Sequence, residues 1–293
     1  MIRITKLSHR LGKNEVLSSV DLTVPDSTVL GLVGVNGAGK STLLRLLAGV
    51  YIADSGSIDY DGSSPAKADT RADLFFLPDD PYYTHTDTPK STIGFYRVFY
   101  PGFDESLCLE LLGSFGLDVR APLRTMSKGM RRTVYIAIAL AANTKYLLLD
   151  EAFDGLDPLA RRRIKTELVR AVEERGASVV ISSHSLGELE NFCDRFAILD
   201  GRRIASSGNI AEWVEHYCKF MLAFAEPAPE SIFEGLPTVS VERSGKFIKA
   251  VFAGRAEDIE PRLLALSPAV IEEQAVDFEE VFVSEVSSDG GTL

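Results

Sequence analysis

The stretch GLVGVNGAGKSTLL, residues 31–44, narrows what this chain can fold into more than any other. The apolar run Val29 to Val33 reads as a buried strand, and Leu43, Leu44, Leu46 and Leu47 then fall at helical spacing that ends near Gly49. Between them, Gly34 to Ser41 match the pattern glycine, four residues, Gly-Lys-Ser, in the strand-to-helix context that the pattern needs. Glycines let the backbone curl until its amide hydrogens point inward, and the following helix adds its positive end. Gly34, Asn36, Gly37, Ala38, Gly39, Lys40, Ser41 and Thr42 are therefore a candidate phosphate cradle. Lys40 would meet the outer phosphates and the Ser41 hydroxyl would ligate magnesium. A glycine-rich turn that merely caps a helix would look similar, but a chance match in a chain of 293 residues is on the order of one in a hundred.

Holding a phosphate needs nothing more; cleaving one does. The strand-like YLLLD ends in Asp150, followed by Glu151. Four apolar residues before an acid deliver a carboxylate to the carboxyl edge of a parallel sheet. Asp150 is then a candidate magnesium contact, and Glu151 a candidate base or orienting group for a water that attacks the terminal phosphate. Two acids ending a strand are common by themselves; the upstream lysine loop makes the pair informative.

From residue 146 onward strand and helix signals alternate: KYLLLD, then DPLARRRIKTELVRAVEERG with proline early and glycine last, then ASVVISSH. That order predicts a parallel sheet covered by helices. Upstream, SSVDLTVPDSTVLGLVG predicts a hairpin that turns at Pro25-Asp26-Ser27 and feeds the buried strand. SIDYDG is a short strand and turn, and DLFFLPDD a buried strand stopped by Pro78. Residues 87–143 are mainly helical, with Asp104 and Ser127 as caps, and FAILDGRRIASSG turns at Asp200-Gly201. The fold class is α/β: a mostly parallel core, an antiparallel β subdomain, a helical insertion and a small C-terminal α+β domain. The composition shift after about residue 217 divides the chain into 1–217 and an accessory 218–293, whose strands and single helical stretch suggest a split βαβ arrangement. SSDGGTL at the end reads as disordered.

The formal net charge of -11 argues against a global grip on nucleic acid, and no nucleic-acid partner is expected. Cys108, Cys193 and Cys218 are scattered, odd in number and without metal-ligand spacing, which fits spectator thiols in a reducing compartment. No segment has the uninterrupted apolar length of a membrane span.

Further along, MSKGM at residues 126–130 stands directly before a helix, GLD spans residues 155–157, and His184 ends the strand ASVVISSH. Together with the lysine loop and YLLLDE, these landmarks resemble, in order, the nucleotide-binding subunits of ABC transporters over about residues 1–215. The resemblance implies a P-loop ATPase that uses ATP and magnesium and works as a homodimer or heterodimer. By the same resemblance Ser127 and Gly129 grip the terminal phosphate held by a second copy, Asp157 sits at the dimer seam, and His184 is a phosphate-contacting switch that acts with Glu151 in hydrolysis. Each has a plainer reading: Ser127 and Asp157 as helix caps, His184 as an ordinary strand-end histidine.

Five positions depart from the family pattern. Met126, Lys128 and Met130 replace the typical Leu, Gly and Gln of the signature. Asp79 stands where a glutamine is expected; it joins Ser41 and Asp150 as a candidate magnesium contact, but a shorter, charged acceptor senses metal or water differently. Leu11 falls where an aromatic usually stacks on adenine. The resemblance further implies a permease in a separate chain and a place at the inner, cytoplasmic face of the cell membrane. The Tyr- and Phe-rich PYYTHTDTPKSTIGFYRVFYPGF lies in the insertion where such a partner docks, although aromatics there also suit a core. DFEEVFVSEV is similar to the ending of drug and antibiotic exporter ATPases. The rival class is a soluble regulatory ATPase or nucleotide switch uncoupled from transport. Types with long coiled coils, or with two nucleotide domains in one chain, lack their features here.

Overall fold

β1 (Ile2–Leu11) and β2 (Asn14–Val24) pair antiparallel around Gly12, whose φ of 63° lies in the left-handed region that glycine tolerates. Beyond the Pro25-Asp26-Ser27 turn, β3 (Val29–Val33) leaves that sheet and enters another. The expected hairpin of these two strands is thus corrected: β2 pairs with β1, and β3 lies between two strands from late in the chain. β2 alternates buried and exposed residues, whereas β3 is buried at all five positions. A two-faced strand and a fully buried one cannot share a sheet that is open to water on one side. α1 (Lys40–Leu47) follows the glycine loop, and β4 (Ser55–Tyr60) closes the small antiparallel sheet in the order β2-β1-β4. The computed structural model describes residues 1–184, 187 and 192–281.

The main sheet draws on α2 (Ala68–Ala72), β5 (Leu74–Leu77), the insertion helices α3 (Pro89–Phe99), α4 (Glu105–Ser114) and α5 (Lys128–Ala141), then β6 (Tyr146–Leu149), α6 (Pro158–Arg175), β7 (Ser178–Ser183), β8 (Arg195–Asp200) and β9 (Arg203–Asn209). Its strand order is β5-β6-β7-β3-β8-β9. The pairs β5·β6, β6·β7, β7·β3 and β3·β8 are parallel. The register sets Leu77 beside Leu149, Leu149 beside Ile181, and Val33 beside Ser183. The residues that follow β3, β5, β6 and β7 therefore emerge along one edge of the sheet, where parallel α/β proteins build their sites. Leu43, Leu44, Leu46 and Leu47 of α1 are at most 1% exposed; truncating one such leucine to alanine costs about 2–5 kcal/mol.

The helix ends follow local chemistry. Asp104, Ser127 and Asp157 each accept amide hydrogens at the start of α4, α5 and α6, and Gly176 ends α6 in the left-handed conformation.

Contacts divide the chain into two units, with the C-terminal part of the second beginning at Gly208. This division precedes the composition shift near residue 217 because α7 (Ile210–Val214), capped by Asn209, belongs with the C-terminal strands. Trp213 packs at 5.2 Å from Tyr217 and 5.0 Å from Phe278, ring centre to ring centre. β10 (Tyr217–Ala223), β11 (Thr238–Ser244), β12 (Phe247–Ala253), α8 (Ala256–Leu264) and β13 (Val270–Gln274) complete this unit. Its sheet runs β11-β12-β10-β13 with every pairing antiparallel. β10 and β11 consequently point the same way with β12 inserted between them. Phe220, Leu222, Ile248, Phe252, Ile259 and Leu263 form the core of this unit. The tail DFEEVFVSEV is described only as far as Val281, and SSDGGTL lies outside the described residues.

Candidate functional site

The loop after β3 owes its shape to crowding as well as to flexibility. A Cβ on Gly34 would lie 2.5 Å from the Leu199 carbonyl oxygen, so only glycine lets the chain leave the sheet there. Gly37 and Gly39 have φ of 85° and 111°, and Gly39 stands at the N-cap of α1. No side chain caps α1 and no acid occupies its first turn, which leaves its amino end to an anion. Lys40 is buried and curls under the loop, donating to Gly34 O at 2.6 Å. Asn36 and Gly37 are exposed, Ala38 and Ser41 half-buried, and Thr42 buried.

Beyond β6, Asp150 is fully buried and accepts from Ser182 Oγ at 2.7 Å. The same hydroxyl accepts from the Glu151 amide at 2.8 Å. Glu151 has a φ of 47°, a left-handed conformation that disfavours a residue with a Cβ. Its Oε1 is 3.3 Å from Lys40 Nζ and its Oε2 is 3.0 Å from His184 Nδ1. Lys40, Asp150, Glu151 and His184, contributed by the ends of two strands and the start of a helix, thus meet at one sheet edge.

Asp150 Oδ2 is buried and has no hydrogen-bond partner. A bare carboxylate oxygen and a hydroxyl of the lysine loop are donors of the kind magnesium takes, since this ion uses one or two protein oxygens and completes its shell from phosphates and water. Asp150 and Ser41 fit the ion. The third candidate, Asp79, has its Oδ1 accepting from Arg132 Nη2 at 2.5 Å and lying 3.8 Å from Lys128 Nζ.

The remaining landmarks serve local roles within the chain. Ser127 Oγ accepts from the Met130 amide at 3.1 Å, and Asp157 Oδ1 accepts from the Leu159 and Ala160 amides at 3.0 Å. Gly129 faces the loop of GLD so closely that a Cβ on it would meet Gly155 O at 2.2 Å. Lys128 donates to Asp154 at 2.5 Å, a bond that holds the Asp154 carboxyl below its ordinary range and raises the Lys128 ammonium above its own. Among the described residues, no hydrogen bond or ion pair links Ser127, Gly129 or Asp157 to Lys40, Ser41 or Asp150.

Residues 17–154 match the family described as ABC transporter. Over 287 residues the chain is 31% identical to the ABC transporter ATP-binding protein YtrB of Bacillus subtilis, covering 97% of both chains. The chain belongs to the ABC transporter ATP-binding proteins. The lantibiotic transport ATP-binding protein SrtF of Streptococcus pyogenes is 33% identical over 66% of this chain and 84% of its own length, while other relatives are named for import. A solved structure of an ATP-binding subunit of an ABC transporter superposes with a TM-score of 0.66 at 27% identity, covering 72% of this chain and 91% of that one. Members of this family are ATPases whose cassettes bind ATP, dimerise and work with transmembrane subunits. Among the described residues, no helix of this ABC subunit is long and apolar enough to cross a membrane.

Where α3 of the insertion faces α2, this ABC subunit carries a groove of about 600 Å³, lined by Arg71, Ala72, Phe95, Tyr96, Phe99 and Tyr100. Tyr96 and Tyr100 pack on Phe75, whereas Phe95 and Phe99 are 59% and 58% exposed. The aromatic run thus divides into a packed half and an open half. Leu11, at the β1–β2 turn, is exposed. Two site residues escape a reading of the sequence, Ser182 and Arg132. A polar residue inside an apolar strand, and an arginine on the buried side of an otherwise apolar helix, are the signals that could have found them.

Proposed function

We propose that this subunit hydrolyses ATP at Glu151 and thereby drives export through a separate transmembrane permease, closing with a second ATPase subunit around two nucleotides. The observation that carries the reading is the Glu151 carboxylate, held 3.3 Å from Lys40 Nζ and 3.0 Å from His184 Nδ1 beside buried Asp150. Gly34 to Thr42 wrap the phosphates with backbone amides, and Lys40 neutralises their outer charge. Ser41 and Asp150 hold magnesium, which when bound offsets the charge that develops on the phosphate oxygens. Glu151 orients the attacking water and takes its proton, while His184 steadies the carboxylate and reaches toward the terminal phosphate.

A hydroxyl and free amides at the start of α5 make an anion site that faces outward from its own chain. Ser127, Gly129 and Asp157 accordingly act on the nucleotide of the second copy, so that hydrolysis waits for closure. The open aromatic groove of α2 and α3 receives the permease, which sets the subunit on the inner face of the cell membrane. Support for export comes from the tail DFEEVFVSEV and from the likeness to a lantibiotic transport protein.

The test compares ATP turnover and oligomeric state in wild type and Glu151→Gln. Lost turnover with an ATP-stabilised dimer is expected; unchanged turnover removes Glu151 from its role. Purification from native membranes then decides between transport, which brings down a multispanning partner, and a soluble switch, which does not.

A further inference from the structure

Glu151 is fixed by its backbone at both ends. Its amide donates to Ser182 Oγ at 2.8 Å, and its carbonyl accepts from Arg132 Nη1 at 2.7 Å, which holds a φ of 47° that this residue would not otherwise keep. Arg132 is only 2% exposed and sits in the first turns of α5, the helix that begins behind Ser127. The same Nη1 reaches Asp150 O at 3.0 Å, while Nη2 donates to Asp79 O at 2.6 Å and to Asp79 Oδ1 at 2.5 Å. One rigid guanidinium therefore joins the ends of β5 and β6 to α5.

A planar fork cannot follow one partner without shifting on the others. The Glu151 carbonyl also accepts from the Asp154 amide at 3.1 Å, so the guanidinium sets where that carbonyl lies rather than whether it is paired. Any displacement of the loop carrying Asp79 must be felt at the Glu151 carbonyl. Asp79 also opens the segment that leads into α3, whose Phe95 and Phe99 line the groove. We propose that Arg132 is a positioning residue for hydrolysis, which keeps the Glu151 carboxylate in line and makes its placement depend on Asp79. The carboxylate of Asp79 acts through this arginine. The inference rests on the hydrolytic reading of Glu151.

The experiment measures kcat, KM for ATP, trinitrophenyl-ATP affinity and the unfolding midpoint of the purified full chain. The variants are Arg132→Lys, Asp79→Ala, the double change, and Glu151→Gln. Arg132→Lys keeps a buried cation but loses the fork; its kcat is expected to fall by roughly ten- to a hundred-fold, with nucleotide affinity within about two-fold of wild type. Asp79→Ala, at the exposed end of the link, is expected to lower kcat in the same direction, and the double variant to be no worse than Arg132→Lys, because the two act as one unit. A folded Arg132→Lys with wild-type kcat, or full additivity of the two changes, overturns the proposal. Should Arg132→Lys fail to fold, an unchanged kcat in Asp79→Ala overturns it, and a reduced kcat with intact affinity supports it. If Glu151→Gln keeps its turnover, the hydrolytic reading falls and this inference with it; if only Arg132→Lys keeps it, the inference alone falls.

Discussion

Gly129 and Gly155 approach so closely that a Cβ on Gly129 would stand 2.2 Å from the Gly155 carbonyl oxygen. The glycine of the signature is thus required by packing within one chain, before any second copy is considered. The obstacle is backbone, so it cannot rotate away as a side chain could. Gly129→Ala is expected to destabilise the fold by about 1–3 kcal/mol and to displace the loop that leads to Asp157. Urea unfolding together with ATP turnover checks this; a variant of wild-type stability would show that the two loops are not packed this way.

Ser182 joins both carboxylate residues, donating to Asp150 Oδ1 and accepting from the Glu151 amide. Ser182→Ala leaves a buried acceptor and a buried donor unpaired, at a cost of about 1–3 kcal/mol. Because Asp150 then loses its orientation, the magnesium concentration for half-maximal turnover is expected to rise. Titration of turnover with magnesium measures it, and an unchanged curve contradicts the role given to Asp150.

Phe95 and Phe99 are exposed without supporting the core, whereas Tyr96 and Tyr100 pack on Phe75. Replacing both phenylalanines by serine is therefore expected to leave the unfolding midpoint and the turnover of the isolated chain near wild type. Recovery of a membrane partner on purification should drop at least about ten-fold if this is the docking groove. Equal recovery would move docking to another surface.

Asp61 accepts from Lys145 Nζ and from the Tyr146 hydroxyl, both at 2.6 Å. The Lys145 bond, first among the causes, holds the Asp61 carboxyl well below its ordinary value of 3.8, and Asp61 in turn raises Lys145. A carboxyl depressed in the folded state stabilises the fold fully above its unfolded pKa and loses that contribution as pH falls through the folded one. Lys145, raised, loses its share only as pH climbs past its ordinary 10.5. Asp61→Asn should accordingly cost stability at neutral pH, by ~1 kcal/mol or less since both partners are exposed. The difference should shrink below about pH 4. Chemical unfolding at pH 7 and pH 3 tests the sign.

The glycine loop, the acid pair after YLLLD and the caps Asp104, Ser127 and Asp157 were legible in the sequence, because each depends on residues a few positions apart. Strand spacing and cap chemistry act within one or two turns, so they are visible along a linear chain. The separation of β2 from β3, the turning of Asp79 toward Arg132, and the inclusion of α7 with the second unit depend on groups far apart in the chain. The alternating run of β2 and the apolar run of β3 follow one another across a turn, which predicts a hairpin; only pairing decided which strands they joined.

By itself the sequence determined that this chain places a glycine-lysine loop and two carboxylates at strand ends, since local patterns dictate where strands stop and helices start. Only the tertiary structure decided that Glu151 stands between Lys40 and His184 and is braced by Ser182 and Arg132. Those contacts link residues 40, 132, 151, 182 and 184, and nothing in a linear order measures the distances that a parallel register imposes across a sheet.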